Sequence, residues 1–396
     1  MAIGPFEELL SHIPPLSPAQ LRDQRVELIK KIQAHRGRPL VIYATNINSA
    51  GLPGVPALIH RDDIVPLSEI LDGVSGSQVD ILLETPGGYA EVTIEIVKLL
   101  RPRFTDVSYI VPHVAMSAGT ILAMSGDEIL MDHRSSLGAI DPQFMGADGR
   151  PQPAQALLTG IDAIKNEVAK NNGNLNPVYM PILRNVDPGK LQSALNASAL
   201  SRELVTEWLA KYKFQRWTTH SSTGQPVTDA ERRKRAAEIA TALCDHQSWL
   251  SHARPIKIAE LEKMRLTITD YSKDPGLQDL VWRLWVNIHH LMQSTNIYKI
   301  FESVTNALMK VAIQQPTTTP PPQKGAHGKV VAEVKCNKCG TVHKVQANLG
   351  VVQPLDPGCV ALPQNCLITC SSCGNALDLK GLKLQLEAQL GQPIVF

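Results

Sequence analysis

The feature that most constrains the fold is a strand that runs directly into a turn of small residues. Val107 to Ala115 is largely apolar, Met116-Ser117-Ala118-Gly119-Thr120 follows, and an apolar Ile-Leu-Ala-Met run comes next. A polar residue between a buried strand and a helix start lies at the carboxyl end of a sheet, where backbone N–H groups point toward it. Serine is also among the best helix-capping residues. The turn alone therefore leaves two interpretations of Ser117 open, a chemical one and a capping one.

Two neighbouring segments repeat this strand-turn-helix pattern. Upstream, Val79 to Glu84 has the character of a buried strand, and Thr85-Pro86-Gly87-Gly88 leads into helical periodicity from Tyr89 to Leu100. Downstream, Glu128 to Met131 is another short strand, and Ser135 to Gln143 follow it. This alternation predicts an α/β fold with right-handed crossovers above a parallel sheet.

The turn segments together carry a family resemblance. Pro86-Gly87-Gly88, Met116 to Thr120 and Gly138 to Gln143 resemble the serine peptidases of the Clp protease proteolytic subunit and signal peptide peptidase A group, and above all the serine dehydrogenase proteinase branch. The resemblance spans roughly residues 35 to 270. It implies a ClpP/crotonase-like parallel β-α-β core in which Ser117 attacks a peptide carbonyl. Backbone N–H groups of an oxyanion hole would come from Gly87, Gly88 and Ala118.

The proton acceptor for Ser117 is where the sequence departs from the family patterns. The Clp subunit has a histidine where Asp141 stands here, and signal peptide peptidases use a lysine from a later helix. Lys165 matches that lysine by region and shares the helical phase of Ile164, but it could act only if burial lowered its pKa. The alternative is an ordinary surface lysine. His252, in a segment that resembles one of the serine dehydrogenase proteinase branch, is a further candidate, with Asp141 as the carboxylate that orients it.

Two cysteine pairs near the end of the sequence predict a metal site. Six of the seven cysteines follow residue 335, and they include Cys336-Asn-Lys-Cys339-Gly and Cys370-Ser-Ser-Cys373-Gly. Four thiolates from two such turns are the ligand set of a structural zinc ion, so we expect one Zn²⁺ per chain in a small zinc ribbon. The alternatives are a set of reduced buried cysteines or a different ligand set that includes Cys359, Cys366 or His343.

The remaining sequence patterns divide the chain into five parts. The predicted parts are a helical arm (1–36), a ClpP/crotonase-like serine peptidase domain (37–270), C-terminal helices with an amphipathic segment at their end (271–313), a Pro/Thr-rich linker (314–329) and the zinc ribbon (330–396). The basic run from Arg232 to Arg235 is interpreted mainly as a solvated helix face.

Composition limits the classes of partner and location. The 396 residues have a net charge of +2, which gives no general reason to expect a nucleic-acid partner. No run of eighteen apolar residues and no signal-like N-terminus occurs, so we expect a cytoplasmic protein without an integral membrane segment.

The resemblance implies a peptide or protein substrate and a homo-oligomer. Zinc ribbons bind partner proteins, nucleic acid or substrates, so a protein partner at the zinc ribbon is possible. Two rival functions are a catalytically silent scaffold that binds peptides in the same groove and a crotonase-type acyl-CoA enzyme. The acyl-CoA enzyme would not explain a serine at the turn.

Overall fold

The computed structural model describes residues 3–50, 54–145, 151–184, 186–312, 328–349, 351–390 and 394–396. The chain divides into two compact units, residues 1–312 and residues 313–396, and each is described by itself. The predicted linker 314–329 lies outside the described residues, apart from residues 328 and 329.

The first unit alternates helices and strands along the chain. Its helices are α1 (Pro5–Leu10), α2 (Pro18–Arg36), α3 (Ile64–Asp72), α4 (Ala90–Leu100), α5 (Ala118–Ala123), α6 (Ala154–Lys170), α7 (Met180–Arg184), α8 (Pro188–Lys211), α9 (Asp229–Cys244), α10 (His246–Trp249), α11 (Ile258–Lys263) and α12 (Pro275–Ser294). Its strands are β1 (Leu40–Thr45), β2 (Gln78–Glu84), β3 (Asp106–Ile110), β4 (Val114–Ala115), β5 (Glu128–Met131), β6 (Ser136–Leu137), β7 (Gln143–Met145), β8 (Pro151–Pro153), β9 (Thr269–Asp270), β10 (Ile297–Glu302) and β11 (Ala307–Val311). Short 3₁₀ turns occur at Ile47–Ser49, Arg61–Asp63, Pro177–Tyr179, Lys213–Arg216 and Tyr271–Lys273.

The main sheet has the strand order β11-β10-β1-β2-β3-β5-β9. Strands β1, β2, β3, β5 and β9 are parallel, and β10 and β11 are added antiparallel at the β1 edge. This parallel core with intervening helices confirms the α/β class predicted from the sequence. Because parallel strands end at the same edge, the turns that follow β2 and β3 lie close together there.

Helices cover both faces of the sheet because successive strand residues point to opposite sides. Tyr43 and Leu83 face one core, to which α4 and α5 contribute Ile96 and Ile121. The opposite core contains three sheet residues, Ile42, Leu82 and Ile110, and residues Ile29 of α2 and Leu284 of α12. The predicted N-terminal arm is therefore part of the covering layer on this second face.

The start of α12 has a capping residue and a first-turn proline. Asp274 is the N-cap and accepts a hydrogen bond from the Leu277 N–H at 3.1 Å, with Pro275 in the first turn. The residues that follow α12 differ from the prediction.

The amphipathic segment at 297–313 is not a helix in the described residues. It forms the hairpin β10-β11, in which Glu302 pairs with Ala307. Its Ile-Tyr-Lys-Ile-Phe run has high strand propensity, and pairing with β1 satisfies backbone groups that would otherwise be exposed at a sheet edge. The prediction of C-terminal helices for 271–313 is therefore correct only for α12.

The second unit consists of short strands and one helix. They are β12 (Lys329–Lys335), β13 (Val342–Leu349), β14 (Cys359–Ala361), β15 (Leu367–Thr369), β16 (Ala376–Asp378), α13 (Lys380–Leu390) and β17 (Ile394–Val395). Hairpins β12-β13 and β15-β16 are antiparallel, and each carries one cysteine pair in the turn between its strands. Across the described parts of both units, no helix has the length and apolar character needed to cross a membrane.

Candidate functional site

Ser117 lies in a strained turn between β4 and α5. Its backbone angles are φ 51° and ψ −118°, a conformation that residues other than glycine seldom adopt. The residue occupies the N-cap position of α5, but its side chain makes no capping hydrogen bond. The partly exposed hydroxyl has no hydrogen-bond partner among the described residues. Capping therefore does not explain this serine.

The glycine bend that follows β2 is pressed against this turn. A Cβ atom on Gly87, whose φ is +103°, would lie 2.7 Å from both the Met116 carbonyl oxygen and the Ser117 Cβ. A Cβ atom on Gly88 would lie 2.4 Å from the Ile59 nitrogen. Only glycine allows the backbone to approach both neighbours this closely.

Backbone hydrogen bonds show which N–H groups of the bend remain available. The Ile59 N–H donates to the Gly87 carbonyl at 2.7 Å, and the Tyr89 N–H donates to the Ile59 carbonyl at 3.1 Å. The N–H of Gly88, between these two bonded groups, therefore points away from Ile59. The Gly87 N–H already donates to the Thr85 hydroxyl at 3.2 Å. Ala118 begins α5, so its N–H has no partner within the helix.

The segment that carries Asp141 starts beside the serine turn. Strand β4 pairs with β6 in parallel, with Ala115 opposite Leu137. The Gly138 N–H then donates to the Thr120 hydroxyl of α5 at 2.9 Å. Asp141 follows three residues after this bond, at the end of the same extended segment.

Asp141 is buried and holds the predicted histidine. Its Oδ1 is 2.7 Å from His252 Nδ1, and its Oδ2 accepts a hydrogen bond from Gln143 Nε2 at 2.9 Å. A second histidine, His246, places Nδ1 3.0 Å from Oδ2. The geometry of this second contact is poor for a hydrogen bond, because His246 Nδ1 has no hydrogen-bond partner among the described residues. Sequence reasoning missed His246, although its position six residues before His252 was an available signal.

Lys165 lies on the exposed side of α6. Its side chain is 70% exposed on α6 and forms an i,i+3 ion pair with Asp162 at 3.4 Å, whereas its neighbour Ile164 is buried. The partial burial that its helical phase had suggested is therefore not present. The structure brings together Asp141 and His252 and does not bring Lys165 to them.

Glu84, which sequence reasoning also missed, connects the two turns. It is the last residue of β2, and its Oε2 accepts the Val114 N–H of β4 at 3.0 Å while its Oε1 is 3.1 Å from His113 Nδ1. Burial raises the pKa of Glu84, and the bonds to His113 and Val114 partly oppose this shift. A carboxylate directly after the apolar residues Ile81, Leu82 and Leu83 was the available sequence signal.

A buried ion pair anchors the strand segment that supports the glycine bend. Lys299 Nζ donates to the Leu58 carbonyl and to Asp63 Oδ2, both at 2.7 Å, and the Tyr43 hydroxyl donates to the same Asp63 oxygen at 2.6 Å. Burial alone would raise the pKa of Asp63, but the Lys299 ammonium outweighs it and holds this pKa below its ordinary value. Lys299 thus holds Leu58 in place, and Leu58 directly precedes Ile59, the residue that bonds to the glycine bend.

The four predicted cysteine ligands come together in the second unit. The Sγ atoms of Cys336, Cys339, Cys370 and Cys373 all lie within 4.8 Å of one another, with 3.7 Å between Cys336 and Cys373 and 3.5 Å between Cys339 and Cys370. Four sulfurs at about 2.3 Å from a tetrahedral zinc ion would be about 3.8 Å apart. The spacing therefore fits a tetrahedral cation.

Hydrogen bonds around two of the sulfurs favour thiolates, whereas at Cys373 the effect of the Asn375 N–H is outweighed by the contact with Cys339 and the other neighbouring thiols, which raises the pKa to about 12. Backbone N–H groups of Cys339 and Lys338 lower the pKa of Cys336, and the Thr341 hydroxyl is the main cause that lowers the pKa of Cys339 to about 6. His343 Nε2 is 3.2 Å from Cys370 Sγ. This distance fits a histidine that donates a hydrogen bond to a ligating sulfur better than a histidine that binds the metal itself. Cys359 and Cys366 lie outside the four-sulfur group.

Comparison with known proteins identifies the family of the N-terminal part. Residues 8–171 match the family model of the ClpP-like SDH-type serine proteinases. This segment is similar to that family. The match to a ClpP-like proteinase family, together with the parallel sheet, confirms the fold predicted from the sequence.

Two curated relatives are uncharacterized proteins of Methanocaldococcus jannaschii. One is 30% identical over 152 residues, which cover 38% of this chain and 51% of the relative. The other is 29% identical over 125 residues, which cover 31% of this chain and 42% of the relative. This ClpP-like chain thus spans about half the length of the curated relatives it matches.

Two solved structures of a membrane-bound stomatin-specific protease are also similar. One, a lysine-to-alanine variant in complex with a substrate peptide, is 27% identical and covers 26% of this chain and 51% of its own, with a TM-score of 0.21. The other, a serine-to-alanine variant, is 25% identical and covers 28% of this chain and 57% of its own, also with a TM-score of 0.21.

Proposed function

We propose that this ClpP-like chain is a serine peptidase with Ser117 as its nucleophile. The observation that carries the proposal is the strained conformation of Ser117 against the Gly87 bend, which presents its hydroxyl without a structural partner. The free N–H groups of Gly88 and Ala118 then serve as the oxyanion hole. The match of residues 8–171 to a serine proteinase family supports the same chemistry.

We further propose His252 as the general base and Asp141 as its orienting carboxylate. The contact between Asp141 and His252 Nδ1 leaves Nε2 as the proton acceptor. The segment of Asp141 begins beside the serine turn, which favours this histidine over the exposed Lys165.

The reaction then follows two balanced steps. Ser117 Oγ attacks the peptide carbonyl as its proton passes to His252 Nε2, and the negative charge on the carbonyl oxygen is stabilised by the N–H groups of Gly88 and Ala118. The protonated histidine gives its proton to the leaving amine, and an acyl-serine forms. Water, deprotonated by the same histidine, hydrolyses this ester and restores the serine.

A fluorophosphonate probe tests the nucleophile. We expect the full chain to be labelled at Ser117, and the label and peptidase activity to disappear in Ser117→Ala. Ser75→Ala, which changes an exposed serine before β2, is the matched control and should label normally. Absence of labelling in the wild-type protein from pH 6 to pH 9 would argue against the peptidase.

Paired substitutions test the base. His252→Gln should lower kcat by about 10²–10⁴, because a positioned general base contributes that much. Lys165→Met should leave kcat within about twofold, as expected for an exposed ion pair. A large loss in Lys165→Met with little loss in His252→Gln would reverse the assignment.

One observation favours a second candidate function, the catalytically silent peptide-binding scaffold. The Ser117 hydroxyl contacts no base in the described part of the chain, whereas an assembled triad has a serine-to-base hydrogen bond. Catalytic hydrogen bonds often tighten only when substrate is bound, so this arrangement is also compatible with a peptidase. The labelling experiment separates the two functions.

For the second unit we propose a zinc ribbon that binds one structural Zn²⁺ through Cys336, Cys339, Cys370 and Cys373. Four ligands complete a tetrahedral site and leave no position for substrate, so the ion would stabilise the unit and would not take part in catalysis. A protein partner at this unit, a peptide substrate and a homo-oligomeric assembly stay predictions from the family resemblance.

A further inference from the structure

A second cleft lies at the amino-terminal ends of β5 and β9, whereas Ser117 follows the carboxyl ends of the strands. Strands β5 and β9 border it at Glu128 and Thr269, and the 3₁₀ turn Lys213–Arg216 forms another wall. The cleft has a volume of about 510 Å³. This is within the range of small-molecule sites, which span about 300–1,000 Å³.

Four cationic side chains line this cleft, and it contains only two carboxylates. The cations are Lys213, Arg216, Arg235 and Arg265, and the carboxylates are Asp127 and Glu128. The electrostatic character of the cleft depends on which of these charges are already paired.

Both carboxylates are neutralised by arginines that do not line the cleft. Asp127 pairs with Arg101 at 2.7 Å, and Glu128 pairs with Arg36 at 2.8 Å. Glu128 also accepts a hydrogen bond from the Thr269 hydroxyl at 2.7 Å. Arg36 also pairs with Asp80 at 2.8 Å. The two acids of the cleft therefore make their direct ion pairs with Arg101 and Arg36 and act on Lys213 only through space.

Two of the cations lack a direct ion pair in the described part of the chain. The side chains of Lys213 and Arg265 form no ion pair or hydrogen bond within the described residues. Lys213 is partly buried, and this burial, reinforced by Arg216 and opposed by Glu128 and Asp127, lowers the pKa of its ammonium to about 8. A positive charge that is desolvated and unpaired favours an anion that would replace the lost hydration.

An aromatic wall stands beside these cations. Trp217 is partly buried, with the guanidinium of Arg235 5.7 Å from its ring centroid and the Phe214 ring at 6.1 Å. Such a ring offers an apolar surface to the organic part of a ligand while the cations hold its charge.

We propose that this cleft binds a small organic phosphate of nucleotide size, with the phosphate at Lys213 and Arg265 and the organic group against Trp217. The site does not depend on the serine chemistry, so its failure would leave the proposed peptidase function untouched.

Calorimetric titration of the full chain at low ionic strength tests the proposal, with ADP and inorganic phosphate as the probes. We expect both to bind, ADP at least tenfold more tightly. Lys213→Gln and Arg265→Gln should each weaken phosphate binding about tenfold. Lys234→Gln, an exposed change on the same helix as Arg235, is the matched control and should bind normally. No binding of either probe at 10 mM, on the order of the weakest relevant affinities, or undiminished binding in Lys213→Gln and Arg265→Gln together, would overturn the phosphate site.

Two further measurements test the contact of the organic group with Trp217 and the role of Lys213 in binding the anion. Trp217→Leu should abolish the preference for ADP over inorganic phosphate, and equal affinities in the wild type would overturn the organic-ligand assignment. Sulfate keeps its charge between pH 7 and pH 9, so its affinity should fall about tenfold over that range as Lys213 loses its proton. The other charged groups that line the cleft are Asp127, Glu128, Arg216, Arg235 and Arg265. A pH-independent sulfate affinity would exclude Lys213 as the ligand.

Discussion

Glu84 holds two turns in position with one carboxylate. Its two oxygens contact His113 and the Val114 N–H, and these residues directly precede the segment that leads to Ser117. Glu84 itself directly precedes the segment that leads to Gly87. A single side chain thus controls the spacing between the proposed nucleophile and the proposed oxyanion hole.

We expect Glu84→Gln to lower kcat about tenfold with a smaller change in KM. The neutral amide keeps one acceptor for the Val114 N–H but turns an NH₂ group toward His113, and a bond to a charged group is worth about 1.5–3 kcal/mol. Steady-state kinetics with a fluorogenic peptide would measure the effect. Glu91→Gln, an exposed change in the first turn of α4, serves as control. An unchanged kcat in Glu84→Gln would show that the carboxylate does not position the site.

At the scale of elements, the loop before α3 depends on the hairpin β10-β11. Asp63 is fully buried and accepts ion pairs from Lys299 of β10 at 2.7 Å and from Lys310 of β11 at 2.9 Å. The hairpin therefore does more than pair with the sheet edge, because its lysines fix the residues that bind the glycine bend.

Asp63→Asn should lower the free energy of unfolding by about 3–5 kcal/mol, since it leaves a buried ammonium without its counter-ion. Asp62→Asn, at an exposed neighbour, should change it by less than about 1 kcal/mol. Urea unfolding of the full chain at pH 7 would give both values. A loss of the same small size in both variants would mean that the buried pair does not anchor the loop.

The difference in unfolding free energy between wild type and Asp63→Asn should also depend on pH. The pKa of Asp63 lies below its ordinary value in the folded state, so its contribution to stability is complete above the unfolded value of about 3.9 and is lost as the pH falls below it. The stability difference between wild type and Asp63→Asn should therefore shrink below about pH 4. A difference that stays constant down to pH 3 would contradict this assignment.

The elements that the sequence predicts well are those with local signals. The strand ending at Glu84 has an apolar Ile-Leu-Leu run and is followed by a glycine turn, and α12 has an N-cap and a first-turn proline. The hairpin at 297–311 was predicted to be helical because its pairing with β1 involves residues far away in the chain. The same limit applies to the site. The cysteine spacing predicted the four-cysteine cluster, but the contacts of Asp141 with His246 and of Glu84 with His113 arise only from tertiary packing.

At the scale of the whole molecule, the chain combines a large unit with an extensive core and a small unit with few core residues. The buried cluster of the small unit includes Cys336, Cys366 and Cys370 among its members. A unit of this size buries little apolar surface on folding, so a metal ion would supply much of its stability.

Metal removal should therefore affect the two units differently. We expect the purified chain to contain about one zinc per chain, and a strong chelator to make residues 328–396 sensitive to protease while residues 1–312 stay resistant. Elemental analysis and limited proteolysis would measure this. Cys339→Ser should mimic the chelator, and Cys359→Ser, outside the four-sulfur group, is the control. A metal-free preparation with a protease-resistant C-terminal unit would contradict the four-cysteine site.

The hairpin β10-β11 also has a consequence for the order of events during synthesis. Lys299 reaches back to a carbonyl 241 residues earlier in the chain, and Glu302 binds an arginine 277 residues earlier. The ribosome has therefore already made the serine turn and every parallel strand of the main sheet before it makes the segment that locks β1 and the Leu58 loop. A nascent chain paused before residue 297 would expose the bare edge of β1, and a cell would have to shield that edge from other chains until translation resumed.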